Sequence, residues 1–122
     1  MEQEDYLETI YKIAQTRDYV RVSDLAKELG LSKPSVTQMI QRLQKEGYII
    51  HKAYEPLKLT KKGKLIGQKV AERHEVLAEF FTLLEIPKRI QEKDIHGIEH
   101  HLSPITLKKL RAVTKRLNGK KF

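Results

Sequence analysis

The chain has 122 residues, 33% of them charged and 39% hydrophobic, and no cysteine, which suits one compact domain or two small lobes and excludes disulfides and thiolate metal sites. Its formal charge of +8 is unevenly spread, with a net −3 in residues 1–32, +6 in residues 33–64 and +5 in residues 65–122, so a basic middle suited to a phosphate backbone follows an acidic start. No apolar run reaches membrane-spanning length and Met1-Glu2-Gln3-Glu4-Asp5 is unlike a signal peptide, so a cytoplasmic protein is expected.

Residues 3–16 predict an amphipathic helix, with Tyr6, Leu7, Ile10, Tyr11, Ile13 and Ala14 at helical spacing. Asp5 and Glu8 share one side of it. Acidic residues near a helix start favour the macrodipole, and the same pair could equally be ligands. In Val20–Ser32, Ser23 reads as an N-cap, Leu25, Ala26 and Leu29 as an apolar face, and Gly30 as a left-handed stop. Ser32 then caps a second helix, with Pro34 in its first turn and Val36, Ile40 and Leu43 facing inward as far as Glu46. Two short helices joined by a tight glycine turn predict a helix-turn-helix. The second presents Lys33, Ser35, Thr37, Gln38, Gln41 and Arg42, donors and acceptors able to read base edges and phosphates.

Gly47 ends that helix, and residues 48–52 and 57–60 predict two strands around Tyr54-Glu55-Pro56. A hairpin directly after a recognition helix is the wing of a winged helix. A long helix capped by Thr60 is expected from Lys61 to about Leu84, with Ile66, Val70, Leu77, Phe81 and Leu84 on its apolar face. His74 falls on that face too, where a hydrogen-bonded core histidine and a ligand are both open readings. Pro87 opens a further helix, and Ser103-Pro104 caps a last one with Ile105, Leu107, Leu110, Val113 and Leu117 apolar and a frayed tail at 118–122. Such apolar surface predicts a symmetric dimer.

On the helix after Pro87, His96 and Glu99 lie three apart and His96 and His100 four apart, so two imidazoles and a carboxylate converge as a metal requires. Gly97 would let another group approach closely. The expected architecture is mainly α, with a winged helix-turn-helix DNA-binding lobe over residues 1–62 and a helical metal-binding and dimerisation lobe over 63–122.

The stretches Asp5–Tyr11, Arg21–Ala26, Leu59–Gly63, Arg73-His74-Glu75 and Gly97–Ser103 together resemble the diphtheria-toxin-repressor family, and more closely its manganese branch, over nearly the whole chain. The resemblance implies a homodimer that binds double-stranded operator DNA with a divalent cation as corepressor and represses metal-uptake genes. It implies Asp5 and Glu8 as first-helix ligands, His74 as the fourth-helix ligand and Glu99 with His100 as the fifth-helix pair. Ser32, Pro34 and Gln38 match base-contacting positions; on charge alone, Lys33, Arg42, Lys61 and Lys62 are expected to add salt-dependent, sequence-blind phosphate contacts. An aspartate at position 5, where the iron branch has methionine, suits hard Mn²⁺. His96 stands where the manganese branch has glutamate, which admits Zn²⁺, Co²⁺ or Fe²⁺ beside Mn²⁺. His51 and His101 have no ligand counterpart. The resemblance to the shorter manganese type carries the expectation of a protein without the SH3-like domain of the iron branch.

The resemblance also implies a mechanism, in which one cation clasps the first helix to the helices carrying His74 and His100. Two rivals remain: a metal-independent winged-helix regulator with structural histidines, and a zinc peptidase, since His96-Gly97-Ile98-Glu99-His100 spells H-x-x-E-H.

Overall fold

The computed structural model describes residues 3–119; of the tail expected to fray, Asn118 and Gly119 instead belong to the last helix, and residues 120–122 lie outside the described residues. Six helices and one small hairpin follow in the order α1 (Gln3–Thr16), α2 (Val22–Leu29), α3 (Lys33–Lys45), β1 (Ile49–Ile50), β2 (Lys58–Leu59), α4 (Lys61–Leu83), α5 (Lys88–Ile98) and α6 (Pro104–Gly119). Two compact units divide at Lys69–Val70, inside α4.

The first unit is built on one hydrophobic core. Tyr6, Leu7 and Ile10 of α1 meet Leu25 and Ala26 of α2, Val36, Ile40 and Leu43 of α3, and Val20, Ile49 and Leu57 from the extended segments. Each set recurs at the spacing of a single helix face, so α1, α2 and α3 can bury a stripe only against one another. Gly30 (φ +67°) stops α2 in the left-handed conformation that glycine adopts without strain, and Leu31 N–H bonds back to Ala26 O at 3.0 Å. Ser32 Oγ accepts from Ser35 N–H at 3.3 Å to open α3.

Ser23 is not the cap of α2; it lies inside the helix. The helix begins one residue earlier than Ser23, with Arg21 as its N-cap, and Asp24 at the third helical position accepts from Arg21 N–H at 3.1 Å, which satisfies the capping residue's own donor. The extended run before it is fixed by Leu57 N–H donating to Val20 O at 2.7 Å, a bridge that adds a third edge to the wing.

The wing strands are shorter than expected, two residues each, in the antiparallel register Ile49↔Leu59 and Ile50↔Lys58. Pairing stops there because Glu55 N–H turns back to Lys52 O at 3.0 Å and Tyr54 sits at φ +64° with its ring fully exposed. Thr60 joins wing to helix as expected, accepting from Gly63 N–H at 3.1 Å and donating to Gly47 O at 2.7 Å. Gly63 is packed so closely under the wing that a Cβ there would collide with the Tyr48 carbonyl. Gly63→Ala is therefore expected to destabilise the unit by about 1–3 kcal/mol through forced backbone movement. Chemical denaturation would show a lowered midpoint, and an unchanged midpoint would mean that the close contact is relieved freely.

In the second unit, Glu85 (φ +59°) turns the chain between α4 and α5. Gln91, buried and unremarked in the sequence, ties that turn by donating from Nε2 to Ile86 O at 2.8 Å and Thr82 Oγ1 at 3.2 Å. Leu84 departs from expectation. It lies just beyond α4 and is 54% exposed, because the helix stops before its side chain can return to the apolar face. On α6, Ser103 Oγ accepts from Thr106 N–H at 3.2 Å, while Ile105, Val113 and Leu117 are exposed.

Candidate metal centre and nucleic-acid interface

The centre of the second unit's chemistry is Glu99, whose carboxylate is 1% exposed. Its Oε2 lies 3.1 Å from Nδ1 of His74 on α4, and its Oε1 lies 3.5 Å from Nε2 of His100. Leaving a charge in such surroundings is costly unless cationic or hydrogen-bonding groups face it. Two ligand atoms bound to one cation at about 2.1 Å stand roughly 3.0–3.4 Å apart. The imidazole–carboxylate spacings fall close to that range, so each histidine stands beside its own Glu99 oxygen at the separation of two ligands of a divalent ion, without a thiolate.

Glu99 still has helical backbone angles (φ −59°, ψ −28°), so the helical spacing of His96 and Glu99 holds to the end of α5. Helix α5 ends at Ile98; Glu99 caps it with N–H on Ile95 O at 2.8 Å, and His101 N–H on Ile98 O at 3.0 Å tightens the chain into a turn. The chain departs from regular helix only after Glu99. Glu99 is buried and His96 exposed, while the His96 and His100 rings meet edge-on with centroids 6.4 Å apart. Gly97 does not serve a close approach: among the described residues nothing lies within 4 Å of where its Cβ would be. His101 is exposed.

In the first unit, Asp5 and Glu8 occupy the first two turns of α1, and both are buried. Lys12 Nζ reaches Glu8 Oε2 at 3.1 Å, one turn along. The macrodipole explains acidic residues at a helix start but not their burial, which apolar side chains would achieve at less cost.

The exposed side of α3 carries Lys33, Pro34, Ser35, Gln38, Gln41 and Arg42, with Ser32 just before it and Thr37 half-buried. Arg42 Nε is 3.5 Å from Glu46 Oε1, so its guanidinium is loosely held on the helix that presents it. Lys62 has a structural task in addition. Its ammonium lies 3.4 Å from Glu46 O and 4.5 Å from the Tyr48 ring centre, where it complements the negative end of α3. Lys61 and Lys33 are exposed. His51 lines a groove with Arg21, Ser23, Lys33, Tyr54 and Glu55.

No helix among the described residues is long and apolar enough to cross a membrane. Residues 1–57 match the family described as iron dependent repressor, N-terminal DNA binding domain, and residues 60–119 match iron dependent repressor, metal binding and dimerisation domain. The chain is 44% identical over 100 residues to the HTH-type transcriptional regulator MntR of Geobacillus kaustophilus (strain HTA426), covering 82% of this chain and 71% of that one. Its fold is similar to that of the metal-dependent transcriptional regulator MtsR (TM-score 0.83, 22% identity, 93% of this chain and 54% of that one). The manganese regulator SloR is similar in the same way (TM-score 0.79, 24% identity, 96% and 54%), so the chain spans about half the length of these solved proteins. With a helix-turn-helix in one matched part and a histidine–carboxylate cluster in the other, the chain belongs to the iron-dependent repressor family, the diphtheria-toxin-repressor family that its motifs resemble, in the manganese branch.

Proposed function

We propose that this chain is a cytoplasmic, homodimeric transcriptional repressor that binds double-stranded operator DNA with a divalent cation, Mn²⁺ foremost, as corepressor for metal-uptake genes. The observation that carries the reading is the Glu99 carboxylate, buried with a histidine nitrogen beside each oxygen, in a chain of a DNA-binding family. The family's members are transcriptional regulators, so the H-x-x-E-H string is a ligand spacing and not a peptidase motif.

Residues 1–62 form the DNA-reading domain of the proposal and residues 63–122 the metal-binding and dimerisation domain. Asp5 and Glu8 from the first, with His74, His96, Glu99 and His100 from the second, make up the donor set. A bound cation would supply the positive charge that such carboxylates face. Donors drawn from both domains can share one ion only if the domains keep a fixed relation, which in a dimer sets the spacing of two α3 helices. Half-sites one turn apart require about 34 Å. Whatever metal adds to DNA affinity, DNA must add to metal affinity. Ser32, Pro34, Ser35, Thr37, Gln38 and Gln41 face base edges; Lys33, Arg42, Lys61 and Lys62 face phosphates.

The testing experiment is operator binding at fixed salt, with DNA selected from a random duplex library, across Mn²⁺, Zn²⁺, Co²⁺ and Fe²⁺, with and without chelator. Metal should tighten binding at least about tenfold, equivalent to 1.4 kcal/mol of coupling, and chelator should reverse it. Affinity indifferent to chelator would establish a metal-independent regulator instead. His96→Glu is expected to favour Mn²⁺ over Zn²⁺ by about tenfold, because a hard anionic donor replaces a borderline neutral one, and the exposure of position 96 keeps the gain modest. Calorimetric affinities showing no change in metal ranking would remove His96 from the donor set.

A further inference from the structure

His74 is flanked on both of its ring nitrogens by carboxylates, one on α5 and one at its C-cap. Nδ1 lies 3.1 Å from Glu99 Oε2, and Nε2 lies 4.0 Å from Glu92 Oε2. Glu92 and Glu99 are seven residues apart, two turns of one helix face, so a single element addresses opposite edges of the imidazole. Glu99 is 1% exposed, whereas the Glu92 side chain is 59% exposed and the His74 side chain 22%. The buried carboxylate stands at ligand spacing from Nδ1. The outer one stands at the solvent edge of the same ring, about 1 Å beyond ordinary hydrogen-bond distance, on an exposed side chain.

From this we infer that Glu92 is a positioning residue for the metal centre: it accepts the Nε2 proton of His74 and so turns Nδ1 toward the ion. The chemistry requires some such group. A neutral imidazole that gives one nitrogen to a cation carries its proton on the other, and the acceptor of that proton fixes both tautomer and ring plane. A carboxylate in this role also makes the ligating nitrogen more basic. Glu92 further returns negative charge to a neighbourhood in which His96 offers none when neutral. The inference rests on the metal-dependent reading above and adds to it a residue outside the donor set.

The test uses the full chain with MnCl₂ as the probe, comparing the parent with Glu92→Ala and Glu92→Gln by calorimetry. Removing an outer carboxylate of this kind weakens metal binding by about 10–100-fold, and the exposure of Glu92 places the expectation near tenfold. Glu92→Gln keeps an acceptor oxygen and should recover most of that loss. Because Glu92 is exposed, both variants should fold as the parent does, which circular dichroism checks. With Zn²⁺ as a diamagnetic probe, nitrogen-15 spectra should show His74 protonated on Nε2, with proton exchange that is faster in Glu92→Ala than in the parent. An alanine variant that binds Mn²⁺ within twofold of the parent overturns the inference while the metal reading stands. Glutamine as weak as alanine overturns it too, reducing Glu92 to a distant charge. A parent chain that binds no Mn²⁺ overturns the metal reading itself, and this inference with it.

Discussion

Glu99→Gln is expected to abolish metal-stimulated operator binding while leaving a folded dimer. The substitution keeps shape and volume but removes the one charge that His74 Nδ1 and His100 Nε2 both approach, at 3.1 and 3.5 Å. An amide oxygen is a far weaker partner for a divalent cation than a carboxylate, and the amide nitrogen is no ligand at all. Outer residues at such centres already cost 10–100-fold, so removing an inner carboxylate should weaken Mn²⁺ binding by at least about 100-fold. The fold should tolerate the change, because a neutral side chain at a site 1% exposed relieves a desolvation penalty while the hydrogen-bonding outline remains. Operator binding with and without Mn²⁺, beside sedimentation of the metal-free variant, separates the two effects. A variant that still responds to Mn²⁺ would move the centre away from Glu99. One that loses both the response and the dimer would make Glu99 a structural residue.

Local chemistry made much of the first unit legible. The Gly30 stop, the Ser32 and Thr60 caps and the inward stripe Val36, Ile40, Leu43 each depend on residues within a few positions, and each stands where expected. What the sequence withheld depends on partners far along the chain. The Val20–Leu57 bridge joins segments 37 residues apart, and no periodicity announces it. It also explains why the extended chain hands over to α2 at Arg21 instead of at Ser23. Gln91 looked like surface, yet it is buried because the turn at Glu85 presents carbonyls that need a donor.

The metal centre was legible in a different way. Spacing suggested a cluster around His96, but spacing alone does not say which member is buried: Glu99 is enclosed and His96 exposed on the same helical end. Family resemblance supplied His74 as a ligand candidate where helical spacing left it between core and site; its approach to Glu99 spans 25 residues and is purely tertiary. Glu92 escaped both routes. It belongs to no motif, and only the position of α5 against His74 gives it a role.

Replacing Lys33 and Arg42 together by alanine is expected to weaken DNA binding about equally for every sequence, in contrast to Gln38→Ala. All three side chains lie on the exposed side of α3, so the difference must come from what they touch and not from where they are. Cations opposite phosphates release counterions on binding, and each contact contributes about 0.9 to the slope of log affinity against log salt. Losing two should make that slope shallower by about 1.8 and cost about 3 kcal/mol at low salt, the lower end for two charge-assisted hydrogen bonds. The lower end applies because the Arg42 guanidinium already leans on Glu46 at 3.5 Å and gives up part of that contact to reach a phosphate. Gln38 carries no charge, so its loss should leave the slope alone and cost about 1–3 kcal/mol at one base pair only. Lys62 is the wrong residue for this comparison. Its ammonium caps α3 at Glu46 O, and removing it would disturb the reading helix along with any phosphate contact. Salt series on the selected operator and on a scrambled duplex read both quantities at once. A Gln38 variant with an altered slope, or a Lys33–Arg42 variant whose loss depends on sequence, would show that α3 meets DNA through another face.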